Sequence, residues 1–452
     1  MAPSGAPPGA GEAAMKDHLF PFSLLTGRRE FIGRLLSDSL VFKAAQEYAL
    51  ERGKSLEWAF EKVKRYAEEI VPAPNIYLYY RLGNWLGKSI VRTLFRVRLG
   101  YTDEAGVRRI DPLSSLVFIM NHRSNMDYAL LGYLSSKWTA LSFAVGEWAR
   151  VWPLRPLMKA MGAFFIRRGS QNPLYRAVLA RYVQTATACG VVQVVYPEGR
   201  LSRDGKLGEP KLGLLDYLLR AFNPDAERDL VFIPVGVNYD RVLEDRTLLL
   251  SKDVSGARKS GLTAARTALF FIGHNLRLMI RRGWHRFGYA VVNFGPPISM
   301  REYVIRRGVD FSSLGKDARI EKVKAFAHEL MAAVGRVIPA VPVALVSTVL
   351  MENPEKALAG REIEGRVFSL IDGLVSSGAL VYSPRRDRRY TARVGLRMLT
   401  LRRLVVEADG LYRVVPGEAG LLRFYAGSIA HLLVSCPGNS LSMSLPWDTT
   451  LS

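Results

Sequence analysis

Between residues 115 and 294 the chain repeats one pattern: a run of four to eight residues rich in Val, Ile and Phe, a polar or glycine-bearing loop, then a helical stretch. The runs fall at 115–120, 163–167, 191–196, 231–237 and 289–294. Apolar runs of that length, bounded by turn residues, fit strands buried on both faces of an α/β sheet. No other feature constrains the fold as much, because a sheet buried on both faces must have helices on both sides. The expectation is an α/β domain over 76–300, with a mixed sheet flanked by helices. Its polar loops then lie where open α/β folds place their ligands, beyond the carboxyl ends of the strands.

The flanking regions read differently. Residues 20–75 carry Ala, Leu, Glu and Lys with helical periodicity that stops at Pro72 and Pro74, which predicts a helical N-terminal region. Over 76–99, apolar residues recur every three or four positions with basic ones between them, predicting one long amphipathic helix. Residues 301–436 read as a mostly helical C-terminal region, with a helix over 363–380 and a hairpin over 404–415 turning at Asp409-Gly410. Residues 1–19, rich in Pro, Gly and Ala without an apolar core, read as a disordered leader rather than a signal peptide, and 437–452 as a disordered tail.

No run reaches the roughly 18 uncharged apolar residues of a spanning helix. Residues 261–280 are interrupted by Arg266, His274 and Arg277, and the shorter 337–351 has Pro339 and Pro342 near its start. Any membrane contact is therefore expected to be peripheral. With 63 Lys and Arg against 41 Asp and Glu, the net charge of +22 concentrates anionic partners. The arginines are dispersed through amphipathic stretches instead of being gathered in an arm or recognition helix, which fits an anionic lipid surface better than nucleic acid. A solvated basic face on a soluble protein is the plainer alternative. Cys189 and Cys436 are too few for a disulfide framework, have no metal-ligand spacing, and suit a reducing compartment. No metal or nucleotide motif is present, so no resident cofactor is expected.

The chemistry concentrates in the loops. Asn121-His122-Arg123-Ser124-Asn125-Met126-Asp127 follows the first run and places His122 and Asp127 five positions apart across a loop-to-helix turn. By itself this pair fits either a helix cap or a general base with its orienting carboxylate, the second without a protein nucleophile. Arg167 and Arg168 end another run, and paired guanidiniums suit a phosphate. Tyr196-Pro197-Glu198-Gly199-Arg200 ends a third, with Ser202, Arg203, Gly205 and Lys206 close behind. The histidines at 274, 285, 328 and 431 do not cluster and read as structural, and His18 lies in the leader.

Taken together, NHRSNMDYALL (121–131), GAFFIRR (162–168), YPEGRLSRDGKL (196–207, with Lys211 downstream) and IPVGVNYDRVLED (233–245) resemble, in order, the four blocks of the glycerolipid acyltransferase superfamily. The resemblance is nearest to its glycerol-3-phosphate and dihydroxyacetone-phosphate branch, and LLRFYAGSIAHLL (421–433) is similar to that branch's C-terminal segment. It implies an O-acyltransferase that moves a fatty acyl group from acyl-CoA or acyl carrier protein, as co-substrate, to glycerol 3-phosphate in phospholipid synthesis. Dihydroxyacetone phosphate or a lysophosphatidate is the alternative acceptor, and a non-catalytic lipid-binding homologue the alternative role. Catalysis would rest on His122 and Asp127. Substrate binding would fall to Arg167, Arg168, Glu198, Gly199, Arg200, Arg203, Lys211 and Pro234, with Pro234 shaping a pocket wall. A peripheral place on the cytoplasmic face of a membrane is implied, with no nucleic-acid partner. One departure stands out: the family's third block has Arg directly before its Ser, where this chain has Leu201, which bears on the acceptor more than on the reaction.

Overall fold

The computed structural model describes residues 27–75, 84–135, 141–146, 154–167, 169–253 and 286–434. Its centre is an eight-stranded mixed sheet: β1 (Arg96–Thr102), β2 (Ser115–Met120), β3 (Ser142–Val145), β4 (Phe164–Phe165), β5 (Gln193–Val195), β6 (Leu230–Tyr239), β7 (Tyr289–Phe294) and β8 (Ile298–Ser299). The spatial order is β1-β7-β6-β2-β5-β3-β4, with β8 also on β6. β2 to β6 run parallel to one another, whereas β7 and β1 run against them.

Each strand divides its side chains between two cores, as a period of two requires. Leu116, Phe118 and Met120 of β2 enter one core, and Val117 and Ile119 the other. Helices Arg28–Leu36, Ser39–Arg52 and Leu56–Ile70 cover the second core together with Pro173–Ala188 and Lys316–Val337. Local chemistry sets their ends. Asp38 accepts from the N–H groups of Leu40 and Val41, Ser55 accepts from Trp58, and Gly53 closes the middle helix with φ +58°.

The first core is covered by Pro342–Glu352, Gly360–Ser376, Arg388–Leu401 and Ala419–Gly427. Residues 342–351 are buried all round the helix, as expected for a helix enclosed by neighbours. The apolar stretch near 337–351 is thus a core helix, and no helix among the described residues is long and apolar enough to cross a membrane. The hairpin forms as expected: β9 (Val405–Ala408) pairs with β10 (Leu411–Val414), and positive φ at Asp409 and Gly410 gives the turn its hand.

One expectation is corrected. The helix anticipated over 76–99 spans Asn84–Leu94 and gives way to β1, with 76–83 outside the described residues. In Arg96-Val97-Arg98-Leu99 exposure alternates residue by residue, and parallel pairing with β7 outweighs the helical spacing. The four-residue strand β3 was not anticipated; it is too short to announce itself.

Candidate active site

His122 lies just beyond the carboxyl end of β2, in the middle of the sheet. Asn121 fixes the exit from the strand with two hydrogen bonds to Val237 of β6, its amide donating to the carbonyl at 2.9 Å and its oxygen accepting the N–H at 2.8 Å. The chain then turns, and helix Met126–Ser135 brings Asp127 back beneath the loop. His122 Nδ1 is 2.9 Å from Asp127 Oδ2, and both residues are buried. That oxygen also accepts the N–H groups of Arg123 (2.8 Å) and Ser124 (3.1 Å), so it faces donors only and Nδ1 must carry the ring proton. The remaining ring nitrogen is then a base.

Carboxylates hold the whole loop. Glu198 Oε1 accepts the His122 N–H at 2.9 Å, Asp127 takes the next two, and Glu244 Oε1 takes that of Asn125 at 3.2 Å. Glu244 Oε2 also accepts the Ser124 hydroxyl at 2.7 Å, and that hydroxyl oxygen accepts the Met126 N–H at 3.1 Å. Five successive amides are thereby satisfied without regular secondary structure, which fixes the backbone under His122. Burial raises both glutamates above the usual carboxylate range, and their N–H donors oppose it. Tyr196 lies over the His122 ring with centroids 4.2 Å apart. Tyr239, at the end of β6, donates its hydroxyl to Asp127 Oδ1 at 2.6 Å.

The third block wraps this loop from outside. The Ser202 N–H donates to the His122 carbonyl at 3.1 Å, while the Ser202 hydroxyl donates to the Lys206 carbonyl at 2.8 Å. Gly199 turns at φ +69°, a conformation that suits glycine, beside the Lys211 side chain. Arg200, Arg203 and Lys211 are exposed at the edge of this loop and form no ion pair among the described residues. Glu198 is different: both its oxygens are occupied, the second by the Gly208 N–H at 2.9 Å, so the carboxylate holds the loop.

Two expected binding residues are placed away from the dyad. Arg167 was expected to bind phosphate, but its guanidinium is bidentate on Glu69, at 3.0 and 2.5 Å, and flanked by the rings of Tyr66 and Tyr175. Its charge is already matched. It also lies two residues past β4, three strands from β2, which is roughly 14 Å across the sheet. Arg168 lies outside the described residues. Pro234 was expected in a pocket wall but sits inside β6, paired with Ile119. It falls between the residues that pair with β8 (Val231, Phe232) and those that pair with β7 (Val235 onward), where its missing N–H breaks no ladder.

Tyr239 and Glu244 were not singled out, although both lie in the fourth block, 233–245. Each meets its partner across 112 and 120 residues, a distance no local pattern encodes. Of the remaining histidines, His431 is half-buried with Nε2 3.0 Å from the Gly335 carbonyl oxygen, His328 is exposed beside Glu209, and His274 and His285 lie outside the described residues. Among the described residues no group of three or more His, Cys, Asp or Glu is placed to hold a metal ion.

The sequence matches the acyltransferase family over residues 104–238 and the glycerol-3-phosphate acyltransferase C-terminal region over 276–436. Relatives named glycerol-3-phosphate acyltransferase include one from Aeromonas hydrophila, 27% identical over 427 residues, which are 90% of this chain and 50% of the relative. Another, from Ectopseudomonas mendocina, is 31% identical over 376 residues, 79% of this chain and 42% of the relative. The chain thus spans about half the length of the curated relatives it matches. The crystal structure of the 1-acyl-sn-glycerophosphate acyltransferase from Thermotoga maritima aligns with 69% of this chain and 96% of its own at 16% identity and a TM-score of 0.31, too loosely to argue from. With the first match covering the His122–Asp127 loop and the second the layer packed behind it, this chain belongs to the glycerolipid acyltransferase superfamily, in its glycerol-3-phosphate acyltransferase branch.

Proposed function

We propose that this chain is a glycerol-3-phosphate O-acyltransferase, transferring a fatty acyl group from acyl-CoA or acyl carrier protein to the sn-1 hydroxyl to give lysophosphatidate. The observation that carries the reading is the His122–Asp127 pair at 2.9 Å, on a loop whose every amide is held. Nucleophilic attack by an alcohol needs a base for its proton, and a neutral imidazole fixed by a carboxylate supplies one. The acceptor hydroxyl gives its proton to His122 Nε2 as its oxygen bonds to the thioester carbonyl carbon. The tetrahedral adduct collapses, the C–S bond breaks, and the leaving thiolate takes the proton back from the imidazolium. Asp127 keeps the ring in the tautomer that allows this and stabilises its transient charge. Arg200, Arg203 and Lys211, exposed and in no ion pair among the described residues, are the cations for the acceptor's phosphate.

Peripheral attachment to an anionic membrane belongs to the same reading. It is supported by the net charge of +22 and by helix Asn84–Leu94, which exposes Trp85 and Ile90 beside Lys88 and Arg92. The test is acyl transfer from palmitoyl-CoA, and separately from palmitoyl-acyl carrier protein, to glycerol 3-phosphate, dihydroxyacetone phosphate and lysophosphatidate. Glycerol 3-phosphate should be the acceptor used, and His122→Ala should lower turnover roughly a hundredfold or more. Transfer to another acceptor only would reassign the substrate. Equal turnover in the variant, or none by the wild type, would overturn the reading.

A further inference from the structure

Tyr239 stands at the last position of β6 and is fully buried. Its hydroxyl donates to Asp127 Oδ1 at 2.6 Å, on the side of the carboxylate away from His122. Two features of the fold make this contact dependable. Asn121, next to His122, is bonded twice to the backbone of Val237, so the register of β6 against the catalytic loop is set two residues before Tyr239. Strand periodicity then puts Tyr239 on the same face as Val237. The ring is held from behind by Phe95, 5.3 Å between centroids. Burial and the neighbouring Asp127 charge keep its phenol protonated far above neutral pH, so it remains a donor throughout the working range.

Resting on the proposed acyl-transfer reading, we propose that Tyr239 is a positioning residue that sets the basicity of the catalytic pair through Asp127. Three donors share Asp127 Oδ2, and among the described residues the single donor on Oδ1 is Tyr239. Short hydrogen bonds from neutral donors draw charge away from a carboxylate and weaken its hold on a proton nearby. With Tyr239 in place, Asp127 orients the imidazole without binding the imidazolium so tightly that the proton cannot be returned to the leaving thiolate. The ionisable groups facing this carboxylate are His122, Arg123, Tyr196, Tyr239 and Glu244, with Glu198 on the far side of His122 and Arg123 and Tyr128 edge-on to His122 and Tyr196. Among the described residues only Tyr239 donates to Oδ1.

The experiment is Tyr239→Phe in the full chain, with Phe95→Leu as a control that disturbs the same packing and leaves the hydroxyl. In Tyr239→Phe the acid limb of the kcat/KM profile should move to higher pH, and kcat should fall about tenfold with both KM values little changed. Phe95→Leu should lower the thermal midpoint and leave the limb in place. A limb that stays put in Tyr239→Phe, or moves equally in both variants, overturns the inference. If the wild type acylates nothing, the functional reading fails separately, and Tyr239 is then judged on His122 itself. The pH midpoint of the His122 ring signal in histidine-labelled protein, identified by its loss in His122→Ala, should still rise in Tyr239→Phe. No movement of that midpoint also overturns the inference.

Discussion

The two helical layers that sandwich the sheet are joined to the α/β domain in different ways. The N-terminal layer reaches it by long side chains, Arg167 on Glu69 and Lys159 on the Glu68 carbonyl at 2.5 Å, and by two backbone hydrogen bonds where it ends, from Ala73 and Asn75 to the carbonyls of Lys159 (3.2 Å) and Ala160 (3.1 Å). The C-terminal layer presses its backbone against the third block so closely that no side chain fits between them. A Cβ on Gly205 would lie 1.8 Å from the Phe424 carbonyl oxygen, and one on Gly427 would lie 2.6 Å from that of Asp204. Behind these contacts Asn238 donates to Ser428 Oγ and to the Pro339 carbonyl, each at 3.0 Å, and Arg402 binds Asp245 at 2.6 Å and Tyr425 at 2.8 Å. Flexible ion pairs can readjust, whereas backbone contacts cannot. The layer that touches the third and fourth blocks is therefore the one least able to tolerate change.

Substitutions can break that contrast, beginning with the most damaging. Gly205→Ala should cost on the order of 4 kcal/mol, because the left-handed φ of +85° and the contact with Phe424 both oppose a side chain. Thermal unfolding should show the loss and acyl transfer should fall with it. A protein of wild-type stability would mean that the C-terminal layer is loosely held after all.

Asp240 offers a pH test of the same seam. Its carboxylate accepts the N–H groups of Tyr289 (2.8 Å) and Val343 (3.0 Å), the latter at the start of the buried helix Pro342–Glu352. Burial pushes its carboxyl up to about 7 from the ordinary 3.8. Between those values the folded chain holds a proton that the unfolded chain has released. The stabilisation from that proton is complete below the unfolded value and is lost as pH rises through about 7, on the order of 4 kcal/mol in all. Asp240→Asn should flatten the dependence of thermal midpoint on pH between 4 and 7. An unchanged slope would assign it to other groups.

The smaller effects separate the two kinds of arginine. Arg203→Ala should raise the acceptor's KM about tenfold with kcat nearly unchanged, as expected for a ground-state phosphate contact. Glu69→Gln should lower stability by about 1 kcal/mol or less and leave that KM alone, since Arg167 is partly exposed and its pair is structural. If Glu69→Gln instead changed acceptor KM, Arg167 would have to be counted with the site.

Much of this was legible in the sequence, for definable reasons. Buried strands such as β2 and β7 announce themselves because nearly every residue is apolar, and His122 with Asp127 because the carboxylate and ring meet within one loop-to-helix turn. β1 was hidden because Arg96 and Arg98 resemble the basic face of the preceding helix until pairing with β7 is known. Arg167 was misread because a guanidinium at a strand end looks the same whether it awaits a phosphate or already holds Glu69, and Glu69 is 98 residues away.

The sequence by itself determined the α/β class, the helical flanks, the hairpin at Asp409-Gly410 and the dyad. Each depends on residues close together in the chain, where side-chain spacing and local hydrogen bonding decide the outcome. Only the tertiary structure decided that Glu198 and Glu244 hold the His122 loop, that Tyr239 completes the Asp127 carboxylate, and that the C-terminal layer lies against the third block. Those contacts join segments tens to hundreds of residues apart, and packing of the sheet and its two helical layers is what brings them within hydrogen-bond reach.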